Sequence, residues 1–139
     1  MKKKKRNAGY VLDSFALLAY YNDESGSDKV EELLKKAQEK NILLYISEIT
    51  IGEAYYVILR TRGIKIGEEY LANLLKLPIV LIPANLEQIL AAARYKSKGG
   101  ISYADCFVLA IAKEKKSTII TGDPEFLPLE NQFPVLWIG

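Results

Sequence analysis

The chain has 139 residues, of which 50% are apolar and 26% charged, the profile of one globular domain long enough to bury a core. It contains no histidine and one cysteine, Cys106. That excludes Ser-His-Asp and Cys-His nucleophiles, histidine acid–base catalysis, histidine-ligated zinc or iron, and an intramolecular disulfide. The net charge of +2 hides an asymmetry, because Lys2, Lys3, Lys4, Lys5 and Arg6 are five of the nineteen basic residues. Without them fourteen basic residues face seventeen acidic ones, about −3. Residues 1–8 therefore read as a basic tail and 9–139 as a single domain. The tail reads as a solvated terminus, with a nucleic-acid tether as the alternative. A secretory leader does not fit, because Asp13 interrupts the following apolar stretch and no small-residue cleavage site follows. The run Phe15 to Tyr21 is too short to span a bilayer, so no membrane partner and a cytoplasmic location are expected.

The first predicted strand is Tyr10-Val11-Leu12, ending in Asp13, with a helix from Ser14 to Tyr21 behind it. After the polar break at Asn22 to Gly26, Asp28 and Glu31 form a capping-box pattern opening a helix striped by Val30, Leu33, Leu34 and Ala37. Ile42 to Ile46 is the second strand, and Ser47 caps a helix that Gly63 ends after Arg62. Another helix spans Gly67 to Lys76 and stops before Pro78. Ile79 to Ile82 is strand-like, and Leu86 to Lys98 is helical. Gly99-Gly100 breaks the chain, and Ser102 caps a helix from Tyr103 to Lys115. Thr118 to Thr121 is the fourth strand, followed by a loop over Gly122-Asp123-Pro124-Glu125. Val135 to Ile138 is the fifth. Strands alternating with helices predict an α/β domain with a largely parallel sheet buried on both faces.

Four acidic residues stand apart from the surface charges. Asp13 ends the first strand, and Asp123 follows the fourth. Glu53 lies early in the helix after the second strand, and Asp105 lies in the first turn of the helix capped by Ser102. In an open α/β sheet the crevice lies beyond the carboxyl ends of the strands, where Asp13 and Asp123 sit and from which the helix of Glu53 leaves. Asp105 follows a helix and Gly99-Gly100, so its joining them is inferred from topology alone. Mutually repelling carboxylates gathered in one place are normally held by a cation. Oxygen ligands alone favour Mg²⁺ or Mn²⁺ over zinc or copper. Such an ion suits phosphodiester hydrolysis, which then needs no histidine. Each residue also has a plainer reading. Asp105 suits a helix N-terminus, and Asp123 suits a turn. Asp13 and Glu53 are set among apolar residues, where an unpaired charge is costly. Glu48 competes with Glu53 because it is nearer the strand, although a first-turn charge at a helix start is explanation enough for it.

Four segments together resemble the PIN domain, and within it the VapC-type ribonuclease toxins and their archaeal relatives. They are Tyr-Val-Leu-Asp-Ser-Phe-Ala around Asp13, Ile-Ser-Glu-Ile-Thr-Ile-Gly-Glu ending in Glu53, Ile-Ser-Tyr-Ala-Asp-Cys-Phe around Asp105, and Ile-Ile-Thr-Gly-Asp-Pro-Glu-Phe around Asp123. The resemblance implies a three-layer α/β/α sandwich with strand order 3-2-1-4-5. It also implies Mg²⁺ or Mn²⁺ held by Asp13, Glu53, Asp105 and Asp123, with Thr121 orienting the neighbouring loop and Glu125 as a supporting acidic group. Single-stranded RNA is the implied substrate, and a homodimer and a protein antitoxin are the implied partners. A housekeeping RNA-processing nuclease and a non-catalytic RNA- or protein-binding module are the alternatives. A haloacid-dehalogenase-type phosphatase would want an aspartate where Phe15 stands. A receiver domain would want one after Ile82, where Pro83 and Ala84 follow. A phosphate-binding P-loop is absent.

Overall fold

The computed structural model describes residues 8–139, so the expectation for the basic tail lies outside the described residues. The elements are β1 (Ala8–Leu12), α1 (Ser14–Tyr21), α2 (Ser27–Gln38), β2 (Ile42–Ser47), α3 (Glu48–Leu74), β3 (Val80–Ile82), α4 (Leu86–Lys96), α5 (Tyr103–Lys115), β4 (Thr118–Thr121), a 3-10 turn (Pro124–Leu129) and β5 (Val135–Trp137). All strand pairs are parallel and the order is β3-β2-β1-β4-β5, as the resemblance implies.

The alternation of side chains along each strand builds two cores. Leu12, Leu44, Ile46 and Ile120 point to the face covered by α1, α2 and α3, where Ala16, Leu33, Ile58 and Tyr70 meet them. Their neighbours Val11 and Ile119 point to the opposite face, against Phe107, Ile111 and Phe126. A period of two along a strand sends successive residues to opposite sides, so these strands, buried on both faces, are apolar through their centres. Helices on both faces complete the α/β/α sandwich. The chain runs outward from β1 through β2 to β3, then returns through α4 and α5 to β4 on the other flank of β1. The strand order therefore reverses between β1 and β4, where open sheets place their crevice.

Several local expectations change. β1 begins at Ala8, one residue before the expected domain start. The Asp28–Glu31 pattern does not cap α2: Gly26 holds the cap position at φ +97° with no side-chain hydrogen bond, and Asp28 lies inside the first turn. A Cβ on Gly26 would sit 2.9 Å from the Gly139 backbone nitrogen, so this turn is shaped by the C-terminus lying against it. Gly63 does not end α3 but breaks it, with φ 88° and ψ 175° inside an otherwise helical run. The second arm follows directly, so Gly67 lies within it rather than opening a new helix. The Gly67 backbone presses against the Leu59 side chain, where a Cβ would come within 2.7 Å. Tyr70 locks the two arms by donating to the Ile51 carbonyl at 3.1 Å. The expected loop after Gly122 winds into the 3-10 turn, started by Pro124 in its first turn. Its fixed φ suits that position.

Candidate functional site

Asp13 leaves the end of β1 as the N-cap of α1. Its Oδ1 accepts the Ala16 backbone N–H at 2.8 Å, so it has a structural role that its apolar sequence surroundings did not suggest. Its Oδ2 accepts the Thr121 hydroxyl hydrogen from the end of β4. The carboxyl is 1% exposed. Burial raises its pKa to about 7, against the lowering effect of the Thr121 and Ala16 hydrogen bonds, and the charges of Asp105 and Asp123 raise it further.

Thr121 joins the two strand ends. While its hydroxyl donates to Asp13, the same oxygen accepts the Asp123 backbone N–H at 2.9 Å. Asp123 in turn caps the 3-10 turn, its Oδ1 accepting the Glu125 N–H at 2.9 Å. The loop passes so close to Phe15 that a Cβ on Gly122 would lie 2.2 Å from the ring and 2.7 Å from the Ile138 carbonyl oxygen. Glycine is the residue that fits there.

Asp105 enters from the first turn of α5. The Ser102 hydroxyl accepts the Asp105 backbone N–H at 3.2 Å. Asp105 is 7% exposed. Burial is the main cause that lifts its pKa to about 6; the Ser102 hydroxyl opposes the rise, and the charges of Glu53, Asp123 and Glu125 add to it. Among the described residues, Asp105, Asp123 and Glu125 form a set in which one carboxylate oxygen from each lies within 4.8 Å of the others.

The four singled-out acids thus converge electrostatically, but not equally. Asp13 and Glu53 lie outside the tight trio, and Glu125, expected only as a supporting group, lies within it. The signal for Glu125 was Pro124: a 3-10 turn begun there folds the residue two after Asp123 back beside it. Glu53 is half-buried rather than enclosed by apolar side chains, so its charge keeps contact with water. Glu48 is engaged elsewhere. Its Oε1 accepts the Ala84 N–H at 3.1 Å, tying the start of α3 to the segment before α4.

The donor set is all oxygen, which suits a hard divalent cation. Two ligands of one Mg²⁺ lie at most about 4.2 Å apart, given bonds near 2.1 Å. A trio within 4.8 Å therefore fits around such an ion after a small side-chain adjustment.

Residues 10–130 match the PIN domain family. The chain belongs to that family. Solved structures share the fold along nearly the whole PIN domain. VapC20 of Mycobacterium tuberculosis, described as a sarcin-ricin loop cleaving toxin, superposes with a TM-score of 0.70 at 14% identity, covering 89% of this chain and 95% of its own. VapBC2 of Rickettsia felis, bound to a DNA fragment from its promoter, gives a TM-score of 0.70 at 18% identity, with coverage of 94% and 99%. DNA-bound VapBC of Salmonella typhimurium gives 0.69 at 10% identity, with coverage of 93% and 97%. No curated protein sequence matches this PIN domain. Among the described residues, no helix is long and apolar enough to cross a membrane.

Proposed function

We propose that this PIN domain is a Mg²⁺- or Mn²⁺-dependent endoribonuclease that cleaves single-stranded RNA, and that it is the toxin of a toxin–antitoxin pair in the cytoplasm. The observation that carries the reading is the Asp105, Asp123 and Glu125 trio at the mouth of the β1–β4 crevice. Asp105 and Asp123 are assigned as ligands, with Glu125 beside them. Asp13 and Glu53 act at longer range, because Mg²⁺ keeps several waters. When bound, the ion offsets charge developing on the phosphate and makes water a better nucleophile. The buried Asp13 carboxyl, held by Thr121 and Ala16, fixes the floor of the site. A nearby cation would draw its pKa down from about 7.

The toxin assignment draws on the likeness to VapC20 and the VapBC complexes. It includes a homodimer and an antitoxin whose arginine or lysine competes with the cation for the carboxylates. Cleavage of a labelled single-stranded RNA in Mn²⁺ tests the core of the reading. Asp105→Asn should lower the rate by two orders of magnitude or more, at about 1.4 kcal/mol per factor of ten, and excess EDTA should abolish it. Cleavage undiminished in EDTA overturns the metal assignment. Light scattering that finds only monomer at micromolar concentration would overturn the dimer.

A further inference from the structure

On the outer flank of α5, away from the α1 to α3 layer, Tyr95 and Lys98 line three adjoining cavities. The middle one, of about 760 Å³, receives Lys98, Lys113 and Lys116 and has no acidic residue in its lining. It shares Tyr95, Lys98 and Gln132 with a cavity of about 300 Å³ that reaches Glu125, a member of the acidic trio. The two cavities therefore adjoin along this shared wall, and together they form a channel beside α5 from Glu125 to a pocket of three lysines.

All three lysines are exposed. Among the described residues, none has a carboxylate within 4.0 Å. Lys98 is held over the Tyr95 ring at 5.9 Å from its centroid, and that ring packs edge-on against Phe133 at 5.7 Å. The cation is thus held at the channel wall by a rigid aromatic pair. In the third cavity, Arg94 adds a further cation while Glu87 and Glu114 add acids. Glu114 is already engaged by the Gln88 side-chain amide. Lysines near a helix C-terminus also favour the helix dipole. That effect falls off within the last turn, and it does not account for Lys98, two residues beyond α4, facing the same cavity as Lys113 and Lys116.

We infer that this channel is the path of the RNA strand flanking the cleaved bond, its phosphates held by Lys98, Lys113 and Lys116. The inference rests on the nuclease reading, and it answers a difficulty that reading creates. A cluster of carboxylates repels the phosphates on either side of the one it processes, so the polyanion needs a cationic track beginning where the acidic cluster ends. The channel starts at Glu125 and becomes basic within the length of β4. The four steps from Ser117 to Thr121 span roughly 13 Å at about 3.3 Å per residue. A dinucleotide seated at the carboxylates is too short to span that length to Lys113 and Lys116, which do not line the cavity at Glu125.

The test is the full-length triple variant Lys98→Gln, Lys113→Gln, Lys116→Gln beside its charge-keeping triple-arginine counterpart. Kinetics with Mn²⁺ are measured on a long single-stranded RNA and on a dinucleotide, across a salt series. For the long RNA the glutamine variant should raise KM by about tenfold to a hundredfold. Its log(kcat/KM) against log salt should be shallower by about 2, at about 0.7 per phosphate contact on a single strand. Its kcat should stay within about twofold of wild type, its KM for the dinucleotide should rise far less than its KM for the long RNA, and the arginine variant should keep the wild-type slope. A wild-type KM and salt slope in the glutamine variant overturns the channel while leaving the nuclease reading standing. If the wild-type chain cleaves no RNA, fluorescence anisotropy of a labelled single-stranded RNA in EDTA decides the channel alone. Binding that the glutamine variant loses and the arginine variant keeps supports the channel as a binding path even though the nuclease reading falls. Equal binding by all three, or none by wild type, overturns the channel.

Discussion

Asp105→Asn should make the metal-free protein more stable, and the gain should depend on pH. Asparagine keeps the size of the side chain, and the hydrogen bond from the Asp105 backbone N–H to Ser102 does not involve the side chain that changes. What it removes is a charge that the fold disfavours, since the pKa is lifted from 3.8 to about 6. At about 1.4 kcal/mol per pKa unit, ionising this group costs the native state about 3 kcal/mol once the pH is well above 6. Part of this is offset. A negative charge in the first turn of α5 is worth about 0.3–1 kcal/mol, and a buried amide pays its own desolvation, about 1 kcal/mol. The net expectation is a stabilisation of about 1–2 kcal/mol at pH 8, or roughly 4–8 °C in Tm. Because the native pKa lies above the unfolded value, the native state binds more protons between about pH 4 and 6, so wild-type stability falls as the pH rises through that window. The advantage of the variant should therefore fade towards pH 4. Thermal melts in EDTA at pH 4, 6 and 8 measure it directly. In Mn²⁺ at about a hundredfold excess over its Kd, wild type should gain about 2.7 kcal/mol, and the variant should lose most of that gain. A variant that melts below wild type in EDTA at pH 8, or whose gain is the same at pH 4, refutes the reasoning and marks Asp105 as a helix-start residue only.

Thr121→Val leaves a buried carboxylate oxygen and the Asp123 N–H without their partner, and should cost about 2–4 kcal/mol. The loss should be larger at pH 8 than at pH 5, because the Asp13 pKa would rise beyond about 7; Thr121→Ser should restore most of it in denaturant melts. Gly122→Ala should destabilise by about 1–3 kcal/mol through overpacking. Adding Phe15→Ala should recover only part of the loss, since the Ile138 carbonyl remains 2.7 Å from the new Cβ; full recovery would show that the ring alone is the obstacle. Deleting residues 2–6 should raise KM for RNA and flatten its salt dependence while kcat stays unchanged. An unaltered salt slope would leave those residues as a solvated terminus.

The layers of the fold were legible in the sequence because buried parallel strands leave short unbroken apolar runs, and each was bounded by a turn or a cap. Ser47, Asn85 and Ser102 all accept a backbone N–H at the helix start, and two of these, Ser47 and Ser102, were read as caps beforehand. Gly63 misled for a physical reason. A glycine with positive φ ends many helices, yet a second arm can restart at once if the first offers it a surface, and Leu59, Tyr55 and Ile51 do so. Strand order is not a local property and came only from the family resemblance. At the site, chain position placed Asp13 and Asp123 at neighbouring strand ends, but it did not rank the acids by proximity. Whether Glu53 or Glu125 stands nearer Asp105 depends on how far the 3-10 turn folds back, and a sequence pattern does not fix that distance.

The hydrogen bond between Thr121 and Asp13 joins residues 108 positions apart, and its consequence concerns time rather than geometry. A chain emerging in order from the ribosome exposes Asp13 well before Thr121. Asp13 then lacks its threonine donor until β4 has been made and has paired beside β1. Parallel pairings between distant segments form slowly, since the intervening loop must first be closed. Any fragment that stops before Thr121 carries three of the acids, Asp13, Glu53 and Asp105, on separate elements with nothing to close the ring. The acidic cluster is therefore completed late in folding, once β4 has paired beside β1, and until then its members are held apart on separate elements.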